Sequence, residues 1–340
     1  LRSLVGSEMC IRDRINCFHL DNYRNDIYNL ESSEEGKIGE ALFALADTPR
    51  RLYIGTTLAV VSLDKQTLKS EILFHEKELF THNYNTLLLD SKNRLWFASD
   101  EGCIAYILDE HRFETYKINL RKKVRSQKEL VNVIYEDRSG DIWVGTRWQA
   151  LYRLDRNGQV KQIFSDHNYL LGAVYHIMED KDGNLWFSTK GNGLVKAEPD
   201  MNSPHGLRFT RYKNDPKDSN SISNNDVYFT YQDSQERIWV GLLGGGLNLI
   251  AEENGEVVFK HKYNGLKQYP PYGLYMEVRT MTEDEDGRIW VGTMDGLMSF
   301  DGHFATPEQI QFETYRQVSE RSNVADNDIY VLYKDTDSQI

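Results

Sequence analysis

A tryptophan recurs at one place in a repeated unit, and nothing else constrains the fold of this 340-residue chain as tightly. Trp96, Trp143, Trp186, Trp239 and Trp290 each follow an aspartate by six residues: Asp90, Asp137, Asp180, Asp233 and Asp284. The same offset links Asp47 to Tyr53, where Tyr53-Ile54-Gly55-Thr56 parallels Trp143-Val144-Gly145-Thr146. Successive units lie 43–53 residues apart. A further unit opens at Asp328, reaches Asp335 and stops at Ile340, one residue short of its tryptophan.

Each unit reads as four short strands. Val131–Asp137 is rich in β-branched and aromatic residues, the mark of a first strand, A. A polar turn follows, as in Asp180-Lys181-Asp182-Gly183-Asn184, where glycine accepts a positive φ. The tryptophan strand B (Leu185–Thr189), a Gly-rich hairpin (Gly191–Gly193) and strand C (Leu194–Ala197) come next. Strand D carries an aromatic residue, as in Phe209-Thr210-Arg211-Tyr212. Four strands in about 45 residues is the arithmetic of a propeller blade. One large ring per blade fills each interface, an apolar burial of about 4–6 kcal/mol at the upper bound. The five tryptophans on the grid are therefore core.

The fold expected is all-β: a seven-bladed β-propeller of four-stranded blades, with six complete blades plus two complementary partial ones. Residues 16–30 match strands C and D, and residues 328–340 supply strand A and the first residue of B. Their union in one blade would close the ring and hide its edges. Residues 1–14 are set aside, because Val5-Gly6-Ser7-Glu8-Met9-Cys10-Ile11-Arg12-Asp13-Arg14 resembles translated sequencing-adapter sequence. The propeller is then 15–340, cut at both ends and continuing beyond 340 in a parent protein.

Composition narrows the function. A net charge of −12 argues against nucleic-acid and anionic-membrane partners, which need clustered Lys and Arg. Cys10, Cys17 and Cys103 form no Cys-x-x-Cys pair, so neither a zinc site nor a disulfide scaffold is expected. The Asp-x-Asp-Gly turns enter a strand after six residues, too early for a calcium loop closed by a bidentate glutamate. No metal, cofactor or catalytic residue is expected.

The units resemble the two-component regulator propeller repeat over roughly residues 15–340. Its best stretches are Asp284-Glu-Asp-Gly-Arg-Ile-Trp-Val-Gly-Thr-Met-Asp-Gly-Leu, Phe209-Thr-Arg-Tyr-Lys-Asn-Asp-Pro, and Ser219-Asn220-Ser221-Ile222-Ser223-Asn224-Asn225-Asp226-Val227. The resemblance implies a periplasmic sensor region, often tuned to glycan fragments, in an inner-membrane histidine kinase of the hybrid two-component type. It also implies a second propeller in the same chain and a homodimeric parent. Blade 1, with Tyr53 and Thr57-Leu58-Ala59, blade 2, with Ala98, and blade 3, with Arg147-Trp148-Gln149, depart from the pattern in their B strands and hairpins.

In propeller topology the B–C hairpins and D–A connections share one face, and the connections 117–129, 213–225, 263–275 and 316–327 are long. Binding residues concentrate on long loops carried by a rigid scaffold. Trp148 lies off the grid, between Arg147 and Gln149, where other blades have glycine. An aromatic ring with adjacent donors suits a sugar, whose apolar face stacks while its hydroxyls are bonded; packing under a neighbouring loop is the alternative. Lys190 and Tyr272 lie on the same face. Tyr269, Tyr272 and Tyr275 read better as a loop packing on itself. The second residues of the A strands are Leu42, Asn85, Asn132, Tyr175, Tyr228, Arg279 and Tyr330, a polar and aromatic set. His176 reads as an interior histidine.

Three functions fit: an oligosaccharide or small-ligand sensor, a propeller enzyme (lyase or glycosidase), and a protein-interaction scaffold. Glycoside chemistry needs two positioned carboxylates. Asp100, Glu101 and Asp295 are near the face but have no evident partner.

Overall fold

A computed structural model describes residues 4–7, 14–19, 24–29, 42–56, 59–67, 69–74, 86–99, 102–118, 130–147, 150–165, 171–271, 273–316 and 328–334. The described residues are strands and turns, with two single-turn 3₁₀ segments at Pro204–Gly206 and Pro307–Gln309. Six blades span 42–74, 87–117, 131–165, 173–212, 227–260 and 278–315. Each is a four-stranded antiparallel meander in chain order, such as Val131–Glu136, Ile142–Thr146, Ala150–Leu154 and Val160–Ser165 in blade 3.

The expected seven-bladed ring is corrected: the repeat builds six blades from consecutive strands, not seven. One more four-stranded sheet is assembled from the chain ends, in the order Ile329–Tyr333, Leu4–Ser7, Arg14–His19 and Arg24–Asn29. Its second strand comes from the stretch set aside above. Leu4, Val5 and Gly6 pair with Tyr333, Leu332 and Val331, whereas Val5↔Asn16 alone is registered between Leu4–Ser7 and Arg14–His19. An A strand with a bare hydrogen-bonding edge takes whichever extended segment reaches it. This sheet has no tryptophan, and Asp335 lies outside the described residues.

The chain divides into two compact units. One comprises Glu31–Lys190 and Val195–Thr210, essentially blades 1 to 4; the other comprises Leu1–Leu30, Gly191–Leu194 and Arg211–Ile340, with blades 5 and 6 and the composite sheet.

In both units the repeated tryptophan is core, with none of the five more than 3% exposed. Trp143 packs between Phe164 of its own blade, at 5.6 Å between centroids, and Phe187 of blade 4, at 5.7 Å. Trp239 meets Phe300 of blade 6 at 5.0 Å. These two rings thus join one blade to the next, and the clusters around them are built from two successive blades.

The aspartate is tied to the same ring. Each indole Nε1 donates to Oδ2 of the aspartate six residues earlier: Trp96 to Asp90 and Trp143 to Asp137 at 2.7 Å, Trp186 to Asp180 and Trp239 to Asp233 at 2.8 Å, Trp290 to Asp284 at 2.9 Å. The other oxygen closes the A–B turn by accepting the N–H four residues on, from Arg94, Asp141, Asn184, Arg237 and Arg288 at 2.8–3.0 Å. Both oxygens are needed, one for the turn and one for the buried indole. In blade 1 tyrosine replaces the indole, and Asp47 instead pairs with Lys65 Nζ at 2.7 Å.

Glycine two residues after the tryptophan has a packing cause. A Cβ on Gly145 would lie 2.7 Å from Val133 Cγ1 and 2.9 Å from Val174 Cβ of the next blade. On Gly241 it would lie 2.5 Å from Val278 Cγ1. Successive blades approach so closely there that a side chain has no room.

Successive A–B turns are also latched. Glu136 accepts from Ser91 N–H at 2.7 Å and Ser91 Oγ at 2.6 Å. Glu179 accepts from Arg138 N–H at 2.7 Å, and Glu283 from Ser234 N–H at 2.6 Å. Each glutamate stands just before a clamp aspartate, so one Glu-Asp pair serves two blades.

Candidate functional site

The A strands carry a feature that strand alternation conceals. In blades 3 to 6 a valine at or next to the strand start pairs normally, the residue after it is skipped, and pairing resumes at the following one. Val131 faces Thr146 and Val133 faces Gly145, leaving Asn132 as a β-bulge; Tyr175, Tyr228 and Arg279 are skipped in the same way. In the composite sheet Tyr330 is skipped between Ile329 and Val331. A bulge breaks the alternation and re-aims the side chain of the extra residue.

The residue before each of these four bulges is a valine, Val131, Val174, Val227 or Val278, at most 2% exposed. The valine is the same in all four blades and is core, whereas the bulged residue is asparagine, tyrosine or arginine. Asn132, Tyr175, Tyr228 and Arg279, singled out by position in the sequence, therefore share one backbone geometry. Asn132 is buried and its Nδ2 donates to Val174 O of the next blade at 3.2 Å. Tyr175, Tyr228 and Arg279 are half-buried. Arg279 Nη1 lies 3.0 Å from Asp328 Oδ1, just before the strand Ile329–Tyr333.

The other candidates divide between the two units. Arg147, at the end of Ile142–Thr146, is exposed, and its N–H donates to Leu130 O at 2.8 Å. Lys190 is exposed at the end of Leu185–Lys190. Both belong to the unit of blades 1 to 4, as does Tyr175, whereas Tyr228 and Arg279 belong to the other. Trp148, Gln149, Tyr272, Asn85, Asp100 and Glu101 lie outside the described residues, and Leu42 and Tyr330 are described in backbone alone.

Two of the three loop tyrosines, Tyr269 and Tyr275, are structural, as the sequence suggested. Tyr275 is 4% exposed with a φ of +57°, and its O accepts from Tyr269 Oη at 2.5 Å. The Tyr269 ring packs edge-on against Phe312 at 5.2 Å. Asp295 has a partner after all: its Oδ2 accepts Tyr275 N–H at 2.9 Å. Asp226 Oδ1 accepts Gly191 N–H at 2.7 Å. His176 is half-buried and faces Ser188 in the ladder; burial pushes its imidazole pKa down to about 3. Among the described residues no group of His, Cys, Asp or Glu has the arrangement of a metal site, and no helix is long and apolar enough to cross a membrane.

Blades of this kind define an all-β propeller protein, and comparison with solved structures gives the same fold. The chain superposes on the extracellular domain of a hybrid two-component system from B. thetaiotaomicron with a TM-score of 0.52 at 20% identity, covering 90% of this chain and 39% of that one. It superposes on the periplasmic gluconolactonase PpgL of Pseudomonas aeruginosa with a TM-score of 0.64 at 12% identity, covering 97% and 98%. The two-component regulator propeller model matches residues 127–148, 168–191 and 273–295, in blades 3, 4 and 6. Histidine kinase P4 of Formosa agariphila is 26% identical over 118 residues, 33% of this chain and 8% of that kinase. The chain thus matches well under half the length of the kinase and of the two-component structure.

Proposed function

We propose that this propeller is the ligand-recognition region of a hybrid two-component regulator, carried on the periplasmic side of the membrane, without catalysis of its own. The observation that carries the reading is the two-component regulator repeat on three of its blades. The aspartates support it. The five clamp aspartates, Asp226 and Asp295 are all hydrogen-bonded within the fold, which leaves none of them available as an acid–base pair. In one unit Tyr175, Arg147 and Lys190, and in the other Tyr228 and Arg279, offer aromatic faces and hydrogen-bonding groups on a rigid scaffold, the chemistry that holds a glycan fragment. A second propeller of the same chain is the competing partner.

The test is a phosphorylation assay on the parent kinase in membrane vesicles, with oligosaccharides added on the propeller side. A fragment that changes autophosphorylation, with the response lost on replacing Tyr228 and Arg279, supports the reading. Constant autophosphorylation across neutral and acidic fragments refutes it.

A further inference from the structure

The composite sheet pairs its strands unequally. Arg14–His19 and Arg24–Asn29 are in register along their whole length, from Arg14↔Asn29 to His19↔Arg24. Leu4–Ser7 is in register with Ile329–Tyr333 at every residue, but with Arg14–His19, the next strand in the chain, at Val5↔Asn16 alone. The strand Ile329–Tyr333 is anchored from its other side. Ile329 is fully buried and Leu332 is 7% exposed, in a cluster with Trp290 and Leu297 of blade 6. Leu332 N–H donates to Thr280 Oγ1 of blade 6 at 3.1 Å, as Ile134 N–H donates to Thr86 Oγ1 at 3.0 Å.

The register on the outer edge of Ile329–Tyr333 is that of an A–B pair of the repeat. Ser7 faces Ile329 as Thr146 faces Val131 and Thr293 faces Val278. Tyr330 is skipped, as Asn132 and Arg279 are. Gly6 faces Val331 as Gly145 faces Val133 and Gly292 faces Thr280. Val5 faces Leu332 as Val144 faces Ile134, and Leu4 faces Tyr333 as Trp143 faces Tyr135. Leu4-Val5-Gly6-Ser7 thus stands, residue for residue, where blades 3 and 6 have Trp-Val-Gly-Thr.

We infer that the outer edge of Ile329–Tyr333 is a strand-acceptor site, and that its ligand is an extended peptide segment with the pattern bulky apolar, Val, Gly, Ser or Thr, taken in trans. Main-chain hydrogen bonds accept any extended segment, and the side-chain positions then select among them. Glycine is the selective position. A Cβ would lie 2.7 Å from Val133 Cγ1 on Gly145 and 2.6 Å from Thr280 Cγ2 on Gly292, in each case the residue that the glycine faces. Leu4–Ser7 shows the edge occupied by a segment that meets the pattern and has little hold on its own neighbour. This role is separate from the glycan reading and does not depend on it.

The test is calorimetry of the 340-residue chain with a peptide of the sequence of residues 141–146, and with the same peptide carrying valine for glycine. The first peptide should bind and slow hydrogen exchange at the amides of residues 329–333. The valine peptide should bind at least about tenfold more weakly, because a side chain has no room against the acceptor strand. Gly6→Val loosens the resident strand and should raise the affinity for the first peptide about tenfold. Leu4→Trp gives the resident strand the residue of the repeat and should lower that affinity. The two variants move one readout in opposite directions, so the outcome does not hang on either of them folding. Peptides that bind alike overturn the inference, as does binding that leaves exchange at 329–333 unchanged. Absence of binding by the unaltered chain and by Gly6→Val overturns it as well.

Discussion

Trp143 Nε1 donates to Asp137 Oδ2 at 2.7 Å, and Asp137 Oδ1 accepts the N–H groups of Ser139 and Asp141. One carboxylate therefore closes the turn and satisfies the indole at the blade interface. Asp137→Ala should cost about 2–3 kcal/mol, because it strands a buried donor and loosens the turn. Trp143→Phe keeps one aromatic ring but loses the other and the N–H, and should cost about 2–4 kcal/mol through the cavity and the stranded Oδ2. Urea titration checks both. A loss below about 0.5 kcal/mol for Asp137→Ala would show that the carboxylate does no more than fill space.

Trp186→Ala and Trp239→Ala should each cost about 3–5 kcal/mol through the cavity left in the core. Both rings are at most 3% exposed. A loss under about 1 kcal/mol in denaturant would contradict their place in the core.

Ser188 is fully buried, and its Oγ has no hydrogen-bond partner. Sister blades have Gly145, Gly241, Gly292 or Ala98 at this position. Ser188→Ala should stabilise the protein by about 1 kcal/mol, because the desolvated hydroxyl is removed at nearly constant volume. A drop in melting temperature would mean that the hydroxyl is satisfied in solution.

His176 makes stability depend on pH with a definite sign. Its pKa is held down to about 3 by burial, whereas an unfolded histidine titrates near about 6.5. Between those values the unfolded state binds the extra proton. The contribution is whole above about pH 6.5 and declines as pH falls, by at most about 1.4 kcal/mol per pH unit. His261, also pushed down by burial, acts in the same direction. The stability difference between the native protein and His176→Gln, followed from pH 7 to 4.5, should shift against the native protein by about 2–3 kcal/mol. A difference independent of pH would remove His176 from this role.

The Asp-to-Trp spacing was legible because a repeated packing demand leaves a repeated residue. The hydrogen bond behind the spacing was not, since six residues separate a turn oxygen from an indole only once the strand is paired. The bulges at Asn132, Tyr175, Tyr228 and Arg279 were invisible for another reason: an extra residue in a strand of β-branched and aromatic residues carries no mark of its own. The blade count went wrong at the chain ends. There no Asp–Trp pair sets the register, and Leu4–Ser7 takes an edge that the repeat does not specify. Tyr269 and Tyr275 were rightly read as loop packing. Asp295 was read as unpartnered because its partner is a backbone N–H twenty residues away.

The central claim is that this propeller binds a ligand and does not transform it. Calorimetry of the chain against a panel of oligosaccharides, with chromatography of the same mixtures after long incubation, tests it most directly. The account predicts saturable binding of at least one fragment and no product. Tyr228→Ala, or Trp148→Ala if the ligand sits on the other unit, should weaken that binding by about 1–3 kcal/mol while the melting temperature stays nearly constant. Steady release of product, or binding unchanged in both variants, would contradict it.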